Sequence, residues 1–160
     1  IAAPALIQLG VPDFAAHMFV FYYAVLSEVS PPTALSCFAA AALTGGNPYK
    51  TTMYAWKYTA SAFIVPFMFI LHPSGVAVLL NGDPLPGGIW VIATSFAGIF
   101  ALSAAASGWL LKKTSALERI ILVAGALMLV YPVYWADAVG ISLVALVYLK
   151  QRLQTRTASI

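Results

Sequence analysis

Glu28, Ser30 and Thr33 surround the dipeptide Pro31-Pro32 in the middle of an apolar run from Pro12 to Leu43. Proline has no N–H, clashes with the carbonyl four residues back, and holds the preceding residue out of the helical region. A helix through this stretch is expected to break near Ser30, so that carbonyls around residues 26–30 lose their partners. In hydrocarbon each such group costs several kcal/mol unless another donor replaces the lost one. A break of this kind persists only where it lines a cavity, a binding site or another protein surface. Unwound carbonyls and hydroxyls suit a hard cation such as Na⁺, and the N–H groups that open the next half-helix suit a carboxylate. Glu28, Val29, Ser30, Pro31, Pro32 and Thr33 are therefore the candidate ion and substrate site. Ser30 is the expected hydroxyl ligand, assisted by oxygens from Ser27 onward. The competing reading is a proline kink that only shapes packing. An acid and hydroxyls flanking two consecutive prolines favour the site.

Few other residues offer chemistry. His17 lies 11 positions before Glu28, about three helical turns, so both share a face roughly 16 Å apart along an unbroken axis. That is too far for a pair, and His17 is read as possible support, with an ordinary hydrogen-bonded role as the plainer alternative. An intramembrane enzyme built on His17 and Glu28 lacks its motifs: no H-E-x-x-H cluster and no G-x-S-x-G elbow occur. No catalytic residue and no cofactor are expected. The single Cys37 excludes an internal disulfide and a cysteine-based metal motif.

The elements that must carry these residues are apolar helices. With 62% hydrophobic and 8% charged residues and a mean hydropathy of +0.91, the chain has the composition of an all-α integral membrane protein in contact with the lipid bilayer. No basic cluster interleaved with aromatics appears, which sets nucleic acid aside. Residues 1–9 end at Gly10, and Pro12-Asp13 restarts a helix. After the break, Thr33 to Leu43 is rich in small residues, a helix suited to close packing against protein. Thr44 to Pro48 is a turn, and Tyr49 to Trp56 is amphipathic. Thr59 to Leu71 continues as a helix with a kink expected at Pro66.

Three segments follow from this reading. Residues 1–72 hold the broken helix at the end of a transport-domain-like region. Residues 73–86 form a periplasmic loop with breakers from Asn81 to Pro86, and residues 87–160 form accessory transmembrane helices ending in a basic tail. In the last segment a spanning helix is expected from Gly87 to Leu111. Ile120 to Tyr131 and Trp135 to Leu149, split by Pro132 and Asp137, form a hairpin of short or tilted helices. The broken helix is thus joined by about four others.

The basic residues set an orientation. Alternating the spans puts Lys50 and Lys57, then Lys112, Lys113 and Arg119, then Lys150, Arg152 and Arg156 on one side. That side, with the C-terminus, is cytoplasmic by the positive-inside rule. The loop over residues 73–86, with Asp83 and no lysine or arginine, falls outside.

Gly10-Val11-Pro12, Ala15 to Tyr22 with His17, Leu26-Ser27-Glu28-Val29-Ser30-Pro31-Pro32-Thr33-Ala34, and Ala60 to Phe69 together resemble the large membrane subunit of TRAP transporters. Trp109 to Leu149, with Leu117-Glu118-Arg119 and Tyr131-Pro132, is similar to the extra helices of the fused, TAXI-type permeases. The resemblance covers nearly the whole chain but only the C-terminal part of a family member. It implies Na⁺-coupled symport of organic acids across the bacterial inner membrane, with Na⁺ as the coupling ion. The implied partners are the rest of the permease chain and a periplasmic substrate-binding protein. Ser30 stands where the family usually has Thr, and Glu28 where Asp is common. A small membrane scaffold or assembly subunit without its own transport site is the alternative.

Overall fold

The computed structural model describes residues 1–71, 73, 75, 76, 86–131 and 133–157. Most of the expected loop at 73–86, including Asn81 to Leu85, lies outside the described residues, as do His72 and Pro132. The described residues are mainly helical and hold no strand, with an isolated bridge between Trp109 and Lys113 in one tight turn.

Helix α1 (Ala2–Gln8) stops before Gly10, whose φ of +91° suits glycine, and α2 (Asp13–Leu26) starts after Pro12 with Asp13 in its first turn. A 3₁₀ turn, Ser27–Val29, ends α2, and Ser30 is extended. Helix α3 (Leu35–Thr44) begins after Ala34. Gly45, at φ +67°, ends α3. Asn47 caps α4 (Pro48–Thr59), its side-chain oxygen accepting from Lys50 N–H at 3.0 Å. The α3–α4 hairpin is closed by Phe38 against Tyr49, rings edge-on at 6.2 Å.

A second interruption follows α4. Ala60–Phe63 is a 3₁₀ turn and α5 (Val65–Ile70) is short. Pro66 was expected to kink one continuous helix. Instead the chain changes helix type ahead of it, because Pro66 has no N–H to offer the carbonyl of Ala62. Phe67 N–H then bonds Ile64 O at 3.1 Å. Helix α5 is held on α2 by rings: Phe67 meets Phe19 edge-on at 5.4 Å and Tyr23 at 6.3 Å.

The last three helices, α6 (Pro86–Ser107), α7 (Ala116–Val130) and α8 (Tyr134–Thr157), form an antiparallel layer. Small residues set its spacing: Ala101, Ala104, Ala105 and Ala126 are buried with Leu122 and Val147. Gly125 and Gly140 bring the backbones of α7 and α8 together, for a Cβ on Gly140 would stand 2.8 Å from Gly125 O and 2.7 Å from Leu129 Cγ. Gly140→Ala is therefore expected to lower stability by roughly 1–3 kcal/mol, the cost of overpacking a filled core. Thermal unfolding in detergent measures it, and an unshifted melting temperature would show that the two helices part easily.

Two expected boundaries are corrected. Helix α6 ends at Ser107 rather than Leu111, because Gly108 takes φ +79° and its N–H and that of Trp109 both return to Ala104 O. The Arg119 side chain then bonds Ala105 O and Ala106 O, closing the end of α6. Helix α8 is not short: with 24 residues it continues through Lys150 and Arg152, where a basic tail was expected. No glycine or proline follows Gly140 in this helix, and fully buried Gln151 anchors it by accepting from Leu111 N–H and Lys112 N–H. Among the described residues one helix is long and apolar enough to cross a membrane, Gly88–Ser107, with a mean hydropathy of 1.9.

Candidate functional site

The chain between α2 and α3 largely rebuilds its own hydrogen bonds. Ser30 Oγ donates to Leu26 O at 3.1 Å. Ser27 O accepts from Thr33 Oγ1 at 2.7 Å and from the N–H groups of Ser30 and Ala34 at 3.3 Å each. Ser30 O accepts from Ala34 N–H at 3.0 Å. Thr33 and Ala34 thus fold back over the end of α2 and occupy the carbonyls of Ser27 and Ser30.

Two oxygens remain outside this arrangement for a chemical reason. The carbonyl of Glu28 would look to residues 31 and 32 for a donor, and both are prolines. The carbonyl of Val29 meets Pro32 at the nearer of its two positions. Among the described residues neither oxygen accepts a main-chain bond across the break. With the lone pairs of Ser30 Oγ they are the oxygens suited to a hard cation. Ser27 contributes less than its position suggested: its carbonyl already has three donors, and its hydroxyl bonds Ala24 O at 2.7 Å.

Glu28 is exposed beside this strand of oxygens. Its Oε2 lies 3.5 Å from the hydroxyl of Ser36 in the first turn of α3, so the charge sits near the N-terminal end of that helix. His17, three turns earlier on α2, is exposed, and its side chain makes no hydrogen bond among the described residues. The structure therefore brings Glu28, Ser30 and Thr33 to one place and leaves His17 apart. No group of three or more His, Cys, Asp and Glu capable of holding a metal occurs among the described residues.

The second interruption faces the first. Ser30 and Pro31 share a cavity of about 460 Å³ with Trp56, Ala60 and Phe63, the last two in the 3₁₀ turn after α4. Tyr23 spans the gap, its hydroxyl donating to Phe63 O at 2.6 Å. In a regular helix that carbonyl would receive Phe67 N–H, which has gone to Ile64 O instead. Ser61, also in the turn, is buried and accepts from Ser103 Oγ of α6 at 2.8 Å. Tyr23, Ser61 and Phe63 were not singled out in the sequence. Ser61 five residues before Pro66 was the available signal, a hydroxyl beside carbonyls that a proline leaves without a donor.

The two halves of the chain match different family models. Residues 1–75 match the DctM component of the tripartite ATP-independent periplasmic transporters. Residues 88–146 match DUF3394, a domain of unknown function. No curated protein and no solved structure matches the chain.

Proposed function

We propose that this chain is the C-terminal part of a membrane permease of the TRAP type, and that the break at Ser27 to Thr33 lines its Na⁺ and substrate site. The observation that carries the reading is the Glu28 carbonyl. It has no proline-free partner at either helical spacing, and it lies beside Ser30, which faces a cavity shared with a second helix break. Paired interruptions around one cavity are how membrane transporters expose backbone oxygen to an ion. The match of residues 1–75 to the DctM component supports the same reading.

In this reading Na⁺ drives symport of organic acids delivered by a periplasmic binding protein, across the bacterial inner membrane, in a fused permease of the TAXI type. The rest of the permease completes the site. The membrane assignment is supported by α6 and by the apolar side chains Phe96, Phe100, Ile120, Leu146 and Leu153 on outward faces of α6 to α8. The orientation is supported by the ends of the helices. Lys150 pairs with Glu118 at 3.0 Å, Lys112 reaches Gln154, and Lys57 lines a pocket with Trp109, so three basic groups meet at one end. That end is cytoplasmic by the positive-inside rule.

In the full-length permease, Glu28→Gln keeps the shape and removes the charge. It is expected to raise the half-saturating Na⁺ concentration for uptake about tenfold, the equivalent of one charge-assisted contact, with insertion unchanged. Uptake with wild-type Na⁺ dependence would reduce Glu28 to a partner of Ser36.

A further inference from the structure

A second cavity, of about 290 Å³, lies between the last turn of α4 and the end of α6. Its lining is graded along α6. Phe100, Ser103 and Ser107 follow at helical spacing on one face, so the cavity passes from an aromatic ring to hydroxyls over about 10 Å. Trp109, Lys57 and Tyr58 complete the polar end.

The donors and acceptors there are unequally occupied. Ser103 Oγ donates to Ser61 Oγ, and Ser107 Oγ lies 3.2 Å from Ala104 O and 3.4 Å from Trp109 O as a donor, so each hydroxyl keeps acceptor capacity. The Lys57 ammonium, the Trp109 indole N–H and the Tyr58 hydroxyl have no side-chain partner among the described residues. The neighbouring cations differ: Lys150 is paired with Glu118, Lys112 with Gln154, and Arg119 with the last carbonyls of α6. Lys57 lines this cavity and has no ion-pair partner among the described residues.

We propose that this cavity holds the headgroup of an anionic glycerophospholipid, with its phosphate on Lys57, Trp109 and Tyr58 and an acyl chain along Phe100. The cation and neutral donors match a phosphate, and the spare acceptor capacity of Ser103 and Ser107 in the lining matches the hydroxyls of a glycerol headgroup. Phe100 is exposed and stands on the apolar side of this end, where an acyl chain lies. A free phosphate shares the donor chemistry but has no use for the aromatic end. The proposal rests on the membrane part of the functional reading and not on ion coupling, so lipid retention is measured apart from uptake.

The test uses the full-length protein, delipidated in detergent and then offered phosphatidylglycerol, phosphatidylcholine or inorganic phosphate. Retained lipid is counted by native mass spectrometry. Wild type is expected to retain phosphatidylglycerol in preference to phosphatidylcholine, and inorganic phosphate is expected not to displace it. Lys57→Gln is expected to weaken retention about fivefold, the effect of one basic residue at an anionic surface. Lys57→Arg keeps retention, as does Lys113→Gln, which removes a lysine outside the cavity. Equal retention by wild type and Lys57→Gln, equal retention of the two lipids, or displacement by phosphate alone would each overturn the proposal. Transport can fail in any of these proteins without bearing on the count.

Discussion

Exchanging Glu118 for leucine is expected to destabilise the C-terminal helices by roughly 3 kcal/mol, read as a lower melting temperature and a reduced yield of folded protein. Glu118 is almost fully buried at the start of α7 and organises the turn between α6 and α7. Its Oε2 accepts from Ser115 N–H at 3.0 Å and from Gln151 Nε2 at 3.0 Å, and its Oε1 pairs with Lys150. Gln151 in turn receives Leu111 and Lys112 N–H, so one carboxylate holds the first turn of α7, the connecting turn and the end of α8. Leucine would leave the Gln151 amide without its acceptor inside the protein, the costlier half of the loss. Lys150 is about half exposed and recovers part of its hydration, which limits the charge term.

The same group gives a pH dependence. The Ser115 N–H bond first, then the Lys150 pair, hold the Glu118 carboxyl at about 2, below the usual glutamate value near ~4.3. Its folded pKa is depressed, so its stabilisation is fully present above the unfolded value and is lost as the pH falls toward about 2. Between those limits wild type should lose more stability than Glu118→Gln, which has no proton to take up there. Parallel acid melting of the two proteins would assign the sensitivity to other carboxylates.

Sequence signals that act over one or two turns were legible. Thr44 to Pro48 locates the α3–α4 turn by glycine, cap and proline, and the chain is also interrupted between α2 and α3, the stretch that holds Pro31-Pro32. Signals that need a tertiary partner were not. The end of α6 at Ser107 depends on Gly108 fitting beneath Arg119, where a Cβ would come within 2.8 Å of the guanidinium. The length of α8 depends on Gln151 being buried against a turn forty residues earlier. The Ser115-x-x-Glu118 capping box is written in the sequence, yet Glu118 becomes structural only through Lys150 and Gln151. At the candidate site the sequence names Glu28 and Ser30 as candidates, while the opposing turn of Ala60–Phe63 and its Tyr23 anchor required the fold. Ser27 shows the limit in the other direction: the sequence makes its oxygen a candidate ligand, but Thr33 and Ala34 already donate to its carbonyl.

The second large effect is expected at Ser30. Alanine there removes the one side-chain oxygen that borders the cavity from the break, and it also takes away the donor to Leu26 O. The structural part of that loss is about 1 kcal/mol, a single neutral hydrogen bond. If Ser30 is a Na⁺ ligand as proposed, the ligand part is larger, and it is expected only in the Na⁺ dependence. Threonine separates the two. Ser30 has extended backbone angles, φ −116° and ψ 141°, which β-branched residues favour, so Ser30→Thr keeps the hydroxyl without strain.

The most direct measurement is therefore the initial rate of uptake against Na⁺ concentration for wild type, Ser30→Ala and Ser30→Thr, in the full-length permease at matched protein in the membrane. Ser30→Ala is expected to need about ten times more Na⁺ for half-maximal uptake, with Ser30→Thr close to wild type. Identical Na⁺ curves for wild type and Ser30→Ala would contradict the assignment of the helix break as the ion site.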